Sequence, residues 1–137
     1  MSGYNGFMEE NTSIPRVSEK IGQLLQVIAP PARIAILLSI GGGEACVCHL
    51  EASLGWRQAY ISQHLMALRK AELLQDRREG RYVYYRLANE SLLGLVHAAA
   101  RLSGIDISSL ETSGNAEGDS LCSCPHCSPE PALIQIN

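Results

Sequence analysis

A chain of 137 residues, 46% apolar and 18% charged, can build one compact core. It is too short for two ordinary domains plus a linker, and its composition is far from that of disordered chains. No run approaches the roughly 18 apolar residues of a bilayer span, and the start MSGYNGFMEENTS lacks the basic flank and apolar stretch of a secretory signal, so a cytoplasmic chain with no membrane partner is expected.

In chain order, Val17, Ile21, Leu24, Leu25 and Ile28 recur at helical spacing and predict an amphipathic helix over residues 16–29, closed by Pro30 and Pro31. Pro31 suits the first turn of a second helix carrying Ile34, Ile36, Leu37, Leu38 and Ile40, which must stop at Gly41-Gly42-Gly43. The stretch EACVCHLEASLGW is expected to open extended and then wind into a short helix ending near Gly55. A further helix over residues 57–71 turns Ile61, Leu65 and Leu68 inward. Residues 73–87, LLQDRREGRYVYYRL, change period around Glu79-Gly80 and predict a β-hairpin. Asn89 can cap a last helix whose Leu92, Leu93, Leu95, Val96, Ala99 and Leu102 give it more apolar surface than one side can hide. Three segments follow: a flexible N-terminal arm (1–15), a folded unit (16–104) and a flexible tail (105–137) that begins polar and small and ends in a cysteine cluster.

The net charge of −3 hides an asymmetry. Residues 1–56 hold three basic and five acidic groups, residues 57–86 hold seven basic (Arg57, Arg69, Lys70, Arg77, Arg78, Arg81, Arg86) and three acidic, and Arg101 then stands alone against six acids. A restricted phosphate-binding face requires such a local excess of positive charge, although a solvated charged helix produces the same run. The five cysteines form two clusters, Cys46 with Cys48, and Cys122, Cys124 and Cys127. Their odd number and close spacing point to metal binding or redox chemistry rather than a disulfide framework.

Helix, helix, short helix, tight turn, helix, hairpin, helix is the order of a winged helix-turn-helix, a mainly α fold with a small β-hairpin. Residues 28–87 resemble the ArsR/SmtB family of metal- and metalloid-responsive repressors, most strongly in ACVCHL, ISQHLMALRKAELL and the wing RREGRYVYYRL. With Ile61, Leu65 and Leu68 inward, Ala59, Gln63, Met66 and Lys70 face outward and Tyr60 and Ser62 flank them, as a helix in a major groove requires. Gln63 carries the donor and acceptor pair that recognises adenine, and Ala59 permits close approach. Arg78 and Arg81 flank the wing tip, where a cation reaches phosphates or a minor groove. The resemblance adds Gln58 as a contact, and implies a homodimer built from the first and last helices that reads inverted half-sites in double-stranded operator DNA. His64, at the edge of the buried stripe, reads as a packed structural histidine.

Cys46 and Cys48 match the family's cysteine pair at the start of the helix before the reading helix. In a regular helix, side chains two apart diverge by about 200°, so both thiolates are expected to hold one ion only if this helix start unwinds or distorts, straining the element beneath the reading helix. A third ligand is expected from Cys122, Cys124 or Cys127, because the N-terminal arm has no cysteine or histidine. By resemblance As(III) or Sb(III) suits three thiolates, Cd(II) or Pb(II) comes next, and Zn(II) recruits a fourth ligand such as His49 or His126. The family's other site, on the last helix, is expected to be absent, since the matching residues are Asn89 and Ser91. The tail cluster, with His126, can also bind a separate ion. Two readings stand beside ion sensing: a thiol-redox repressor using Cys46 and Cys48, and a metal-trafficking protein. No nucleophile, base and orienting group recur in an arrangement that suggests an enzyme.

Overall fold

The computed structural model describes residues 13–108 and residue 110. Cys122, Cys124, Cys127 and His126, and most of the expected arm and tail, lie outside the described residues. Among the described residues, five helices and three strands follow one another: α1 Ile14–Ile28, α2 Pro31–Ile40, β1 Ala45–Cys46, α3 Val47–Leu54, α4 Gln58–Lys70, β2 Leu74–Glu79, β3 Tyr82–Leu87 and α5 Ser91–Leu102. The expected elements are all present, and among the described residues no single helix is long and apolar enough to cross a membrane.

Local chemistry sets the boundaries. Pro30 and Pro31 separate α1 from α2, and Gly55, left-handed at φ 70, ends α3 and turns the chain toward α4. At the other end of α4 the amide of Leu73 donates to the carbonyl of Leu68 and that of Glu72 to the carbonyl of Arg69, the paired bonds of a Schellman ending. The left-handed position falls on Glu72, at φ 62, a conformation costing a non-glycine residue about 1 kcal/mol. The turn is therefore made intact but strained at a non-glycine residue. The expected cap is displaced by one residue: Glu90 holds the N-cap of α5 without a side-chain bond, and Asn89 just before it accepts the amide of Ser91 at its Oδ1 in a local turn.

The sheet holds more than the expected hairpin. Glu79 pairs with Tyr82 across a two-residue loop, Gly80-Arg81, with Gly80 at φ 63, so Arg81 itself occupies the wing tip. The short β1 adds to the other edge of β3, giving the order β1-β3-β2, with Ala45 opposite Tyr85 and Cys46 opposite Tyr84.

Ile36, Leu37, Leu50, Ile61, Leu65 and Leu68 form a fully buried centre, joined by Ile28, Ile40, Leu74, Leu92 and Val96. The stripe expected on α4 is thus the stripe that packs. The apolar surface of α1 is not absorbed in the same way: only Ile28 is buried, while Ile14, Ile21, Leu24 and Leu25 are exposed, as is Leu102 of α5.

Arg33 of α2 holds α4 in place from behind. Its Nε donates to Nδ1 of His64 at 3.2 Å and its Nη1 to the carbonyl of Val27 at 2.9 Å, tying three helices together. His64 is buried as expected, edge-on to Tyr60, and Nε2, which carries the ring proton when Nδ1 accepts, has no hydrogen-bond partner among the described residues. Burial, and then the positive charge of Arg33, lowers the pKa of His64. A histidine held neutral in the folded state takes up its proton more readily when unfolded, so its contribution to stability is intact above its unfolded pKa of about 6.5 and is lost as pH falls below it. Urea unfolding followed by the fluorescence of Trp56, the only tryptophan, is therefore expected to show a larger drop in midpoint between about pH 7.5 and about pH 5.5 for the native chain than for His64→Gln, which keeps an acceptor for Arg33. Equal pH slopes would contradict a neutral buried His64.

Candidate DNA interface and thiolate site

Helices α3 and α4, joined by Gly55-Trp56-Arg57, make the helix-turn-helix, and the β2–β3 hairpin is its wing. Gln58, Ala59, Tyr60, Gln63 and Lys70 are exposed on α4, Ser62 is half-buried beside them, and Met66 extends the same face. Trp56 packs edge-on against Tyr60, whose other side meets His64, so this aromatic row fixes the first turn of α4. Arg78 and Arg81 are exposed on the wing, the guanidinium of Arg81 lying 5.4 Å from the ring centroid of Tyr82.

The basic excess divides into two groups. Arg69 is paired with Asp76 at 2.9 Å, Arg77 with both Glu44 and Glu79, and Arg86 donates to Gln75. Among the described residues Arg57, Lys70, Arg78 and Arg81 make no ion pair. These four, with the polar residues of α4, are the groups disposed to meet phosphates and base edges.

The cysteine pair departs from its expected geometry. Cys46 is the last extended residue, at φ −90 and ψ 166, and occupies the N-cap of α3, with Cys48 in the first turn. An N-cap side chain folds over the first turn. The two Sγ atoms accordingly lie 3.0 Å apart without a disulfide between them, and with no unwinding of the helix start. The expected requirement for distortion is corrected by one residue of helix boundary, because the 200° divergence applies only when both residues are helical.

Cys46 is 2% exposed and packs with Tyr84, while Cys48 and Tyr82 lie against that pair. The residues that sequence reasoning missed are these neighbours: Tyr84, and Arg77 with Glu44, which carry no spacing signal because strand pairing alone brings them together. Among the described residues no third His, Cys, Asp or Glu joins the two thiols in a metal-sized group; His49 is buried on α3 outside any such cluster. Two converging sulfur donors at a helix N-terminus, which favours their thiolate form, fit a thiophilic cation.

The family described as "Bacterial regulatory protein, arsR family" matches residues 30–76. The HTH-type transcriptional repressor SmtB of Mycobacterium tuberculosis is 38% identical over 90 residues, covering 66% of this chain and 67% of the relative. The arsenical resistance operon repressor of Escherichia coli is 43% identical over 67 residues, covering 48% of this chain and 57% of the relative. Among solved structures, reduced HlyU from Vibrio cholerae superposes with a TM-score of 0.60 at 30% identity, covering 65% of this chain and 94% of that one. These relatives are transcriptional regulators and not enzymes, and with its helix-turn-helix, wing and matched core this chain belongs to the ArsR/SmtB family of DNA-binding winged-helix transcriptional regulators.

Proposed function

We propose that the chain is a metalloid- or metal-responsive repressor that binds inverted-repeat operator DNA as a homodimer and is released when a thiophilic ion, As(III) or Sb(III) before Cd(II), Pb(II) or Zn(II), is held by Cys46 and Cys48. The observation that carries this reading is the 3.0 Å approach of the Cys46 and Cys48 sulfurs at the junction of β1 and α3. The arsenical resistance operon repressor among the relatives supports the arsenic assignment. One of Cys122, Cys124 or Cys127, from either subunit, supplies the third thiolate, and the ion's contribution is to bind sulfur from both sides of that junction.

The chain's own residues make the pair a lever. Cys46 belongs to the sheet that carries the wing and Cys48 to the helix packed against α4, so any change in their separation shifts the wing relative to the reading helix. Coupling of this kind is worth about 1–3 kcal/mol, or about 5- to 150-fold in operator affinity. Arg57, Lys70, Arg78 and Arg81 anchor the phosphates, and Gln58, Ala59, Tyr60, Ser62 and Gln63 meet the bases. The same geometry favours a second reading: two thiols this close lose two protons and two electrons to a peroxide, forming a disulfide and two waters, so peroxide replaces the ion as the signal.

One operator-binding assay separates these readings. Sodium arsenite releases the native chain from the promoter upstream of its own gene, while Cys46→Ser and Cys48→Ser bind that promoter within about threefold of native and hold it at the same arsenite dose. Truncation after Ser120 weakens the arsenite response. Release of the doubly substituted chain at the native dose overturns ion sensing, release only by peroxide establishes the redox reading, and no specific promoter binding favours metal trafficking.

On the DNA side, Gln63→Ala costs about 1–3 kcal/mol on the operator and relaxes base preference at one position, whereas Lys70→Ala weakens specific and non-specific DNA alike and lowers the salt slope by about 1. Equal effects of both on every sequence would remove α4 from the groove. The exposed Ile21, Leu24 and Leu25 of α1 and Leu102 of α5 support the dimer, since burying them needs a second copy. Leu25→Glu is expected to convert a sedimenting dimer to monomer and to lower operator affinity at least tenfold; an unshifted dimer would exclude α1 from the interface.

A further inference from the structure

Tyr84 sits in the middle of a row that crosses all three strands. It pairs with Cys46 of β1 on one side and with Arg77 of β2 on the other. Directly opposed residues of antiparallel strands project to the same face, so a thiol, an aromatic ring and a guanidinium stand side by side on one face of the sheet. The contacts agree: Tyr84 and Cys46 are buried against each other, and the guanidinium carbon of Arg77 lies 4.6 Å from the centre of the Tyr84 ring.

Arg77 also reaches the cysteine strand by a second route. Its Nε and Nη2 donate to the two carboxylate oxygens of Glu44 at 2.9 and 2.8 Å, and Nη1 donates to Glu79 at 2.9 Å. Glu44 lies two residues before Cys46, and Glu79 is the last residue of β2 before the wing tip. The strand it braces is only two residues long, so little else fastens β1 to the hairpin. The hydrogen bonds Arg77 donates to Glu44 and then to Glu79 reinforce the protonated guanidinium, and two carboxylates around one cation leave no excess positive charge there for a phosphate.

We infer that Arg77, braced between Glu44 and the Tyr84 ring, is a positioning residue that carries displacement of Cys46 to the wing tip, touching neither the ion nor the DNA. Motion of Cys46 pulls on the arginine along the backbone through Glu44 and across the sheet through Tyr84, and the bond to Glu79 passes it to the residue beside Gly80-Arg81. This rests on the ion-sensing reading above and adds the route by which the thiol pair acts on the wing.

The test is fluorescence anisotropy of a labelled promoter duplex with and without sodium arsenite, for the native chain, Arg77→Met, Glu44→Gln, the double variant and Arg77→Lys. Arsenite binding to each is read separately from thiolate absorbance. Both single variants are expected to bind free promoter and arsenite within about threefold of native, while the ratio of promoter Kd with arsenite to that without falls at least fivefold. The double variant falls no further than either single, and Arg77→Lys recovers part of the ratio. A native ratio retained in Arg77→Met and Glu44→Gln sinks the brace alone. A native ratio of one sinks the ion-sensing reading and the brace with it. A tenfold loss of promoter affinity in Arg77→Met without arsenite, with a salt slope lower by about 1, makes Arg77 a phosphate contact and overturns the proposal.

Discussion

The arrangement of this molecule depends on one residue that belongs to two elements. Cys46 completes the antiparallel pairing with Tyr84 and in the same stroke caps α3. Its extended backbone folds the side chain over the first turn of the helix, and that brings its sulfur to that of Cys48. Burial removes any slack: at 2% exposure the thiol cannot rotate toward solvent without opening the contact with Tyr84. Were α3 to begin one residue earlier, the two sulfurs would diverge and the pairing of β1 with β3 would be lost.

Electrostatics follows the same division between fixed and available groups. An acidic chain presents a basic face because some of its cations are withheld from it: Arg69 and Arg77 are engaged by Asp76, Glu44 and Glu79, bonds that orient the hairpin against α4 and β1. Exposed pairs of this kind add little to stability on their own. Their consequence is geometric, since they hold the wing at a set angle while, among the described residues, Arg57, Lys70, Arg78 and Arg81 make no ion pair.

Much of this was legible in the sequence because it depends on local signals. The stripe Ile61, Leu65 and Leu68 fixed the inward face of α4 and thereby the outward one, and the proline pair, Gly55 and Gly80 marked turns that the backbone then makes. Pairing between distant strands left no such trace. Nothing in the spacing of EACVC announces that its two extended residues join β3, so helical spacing predicts a strained convergence of the thiols where the fold makes it the resting state. Arg77 looked like one more cation in a basic run, and only register placed it beside Tyr84 and within reach of Glu44, 33 residues away. Arg33 carries no sequence signal for the same reason, since its acceptor on His64 lies across the helix packing.

How operator release is achieved follows from where the molecule is stiff. Helix α4 is held along its buried face by fully buried aliphatic side chains, at its rear by Arg33 through His64, and at its end by the backbone bonds around Glu72. A close-packed contact of that kind moves as a unit or not at all. The sheet differs, for β1 is two residues long and its grip on β3 is confined to two positions. A change imposed at the sulfur pair therefore meets least resistance on the sheet side, and the wing swings while α4 keeps its internal structure. On the proposed reading, loss of operator affinity comes from misplacing Arg78 and Arg81 relative to an intact reading helix, a rigid-body change rather than the melting of the element that contacts the bases.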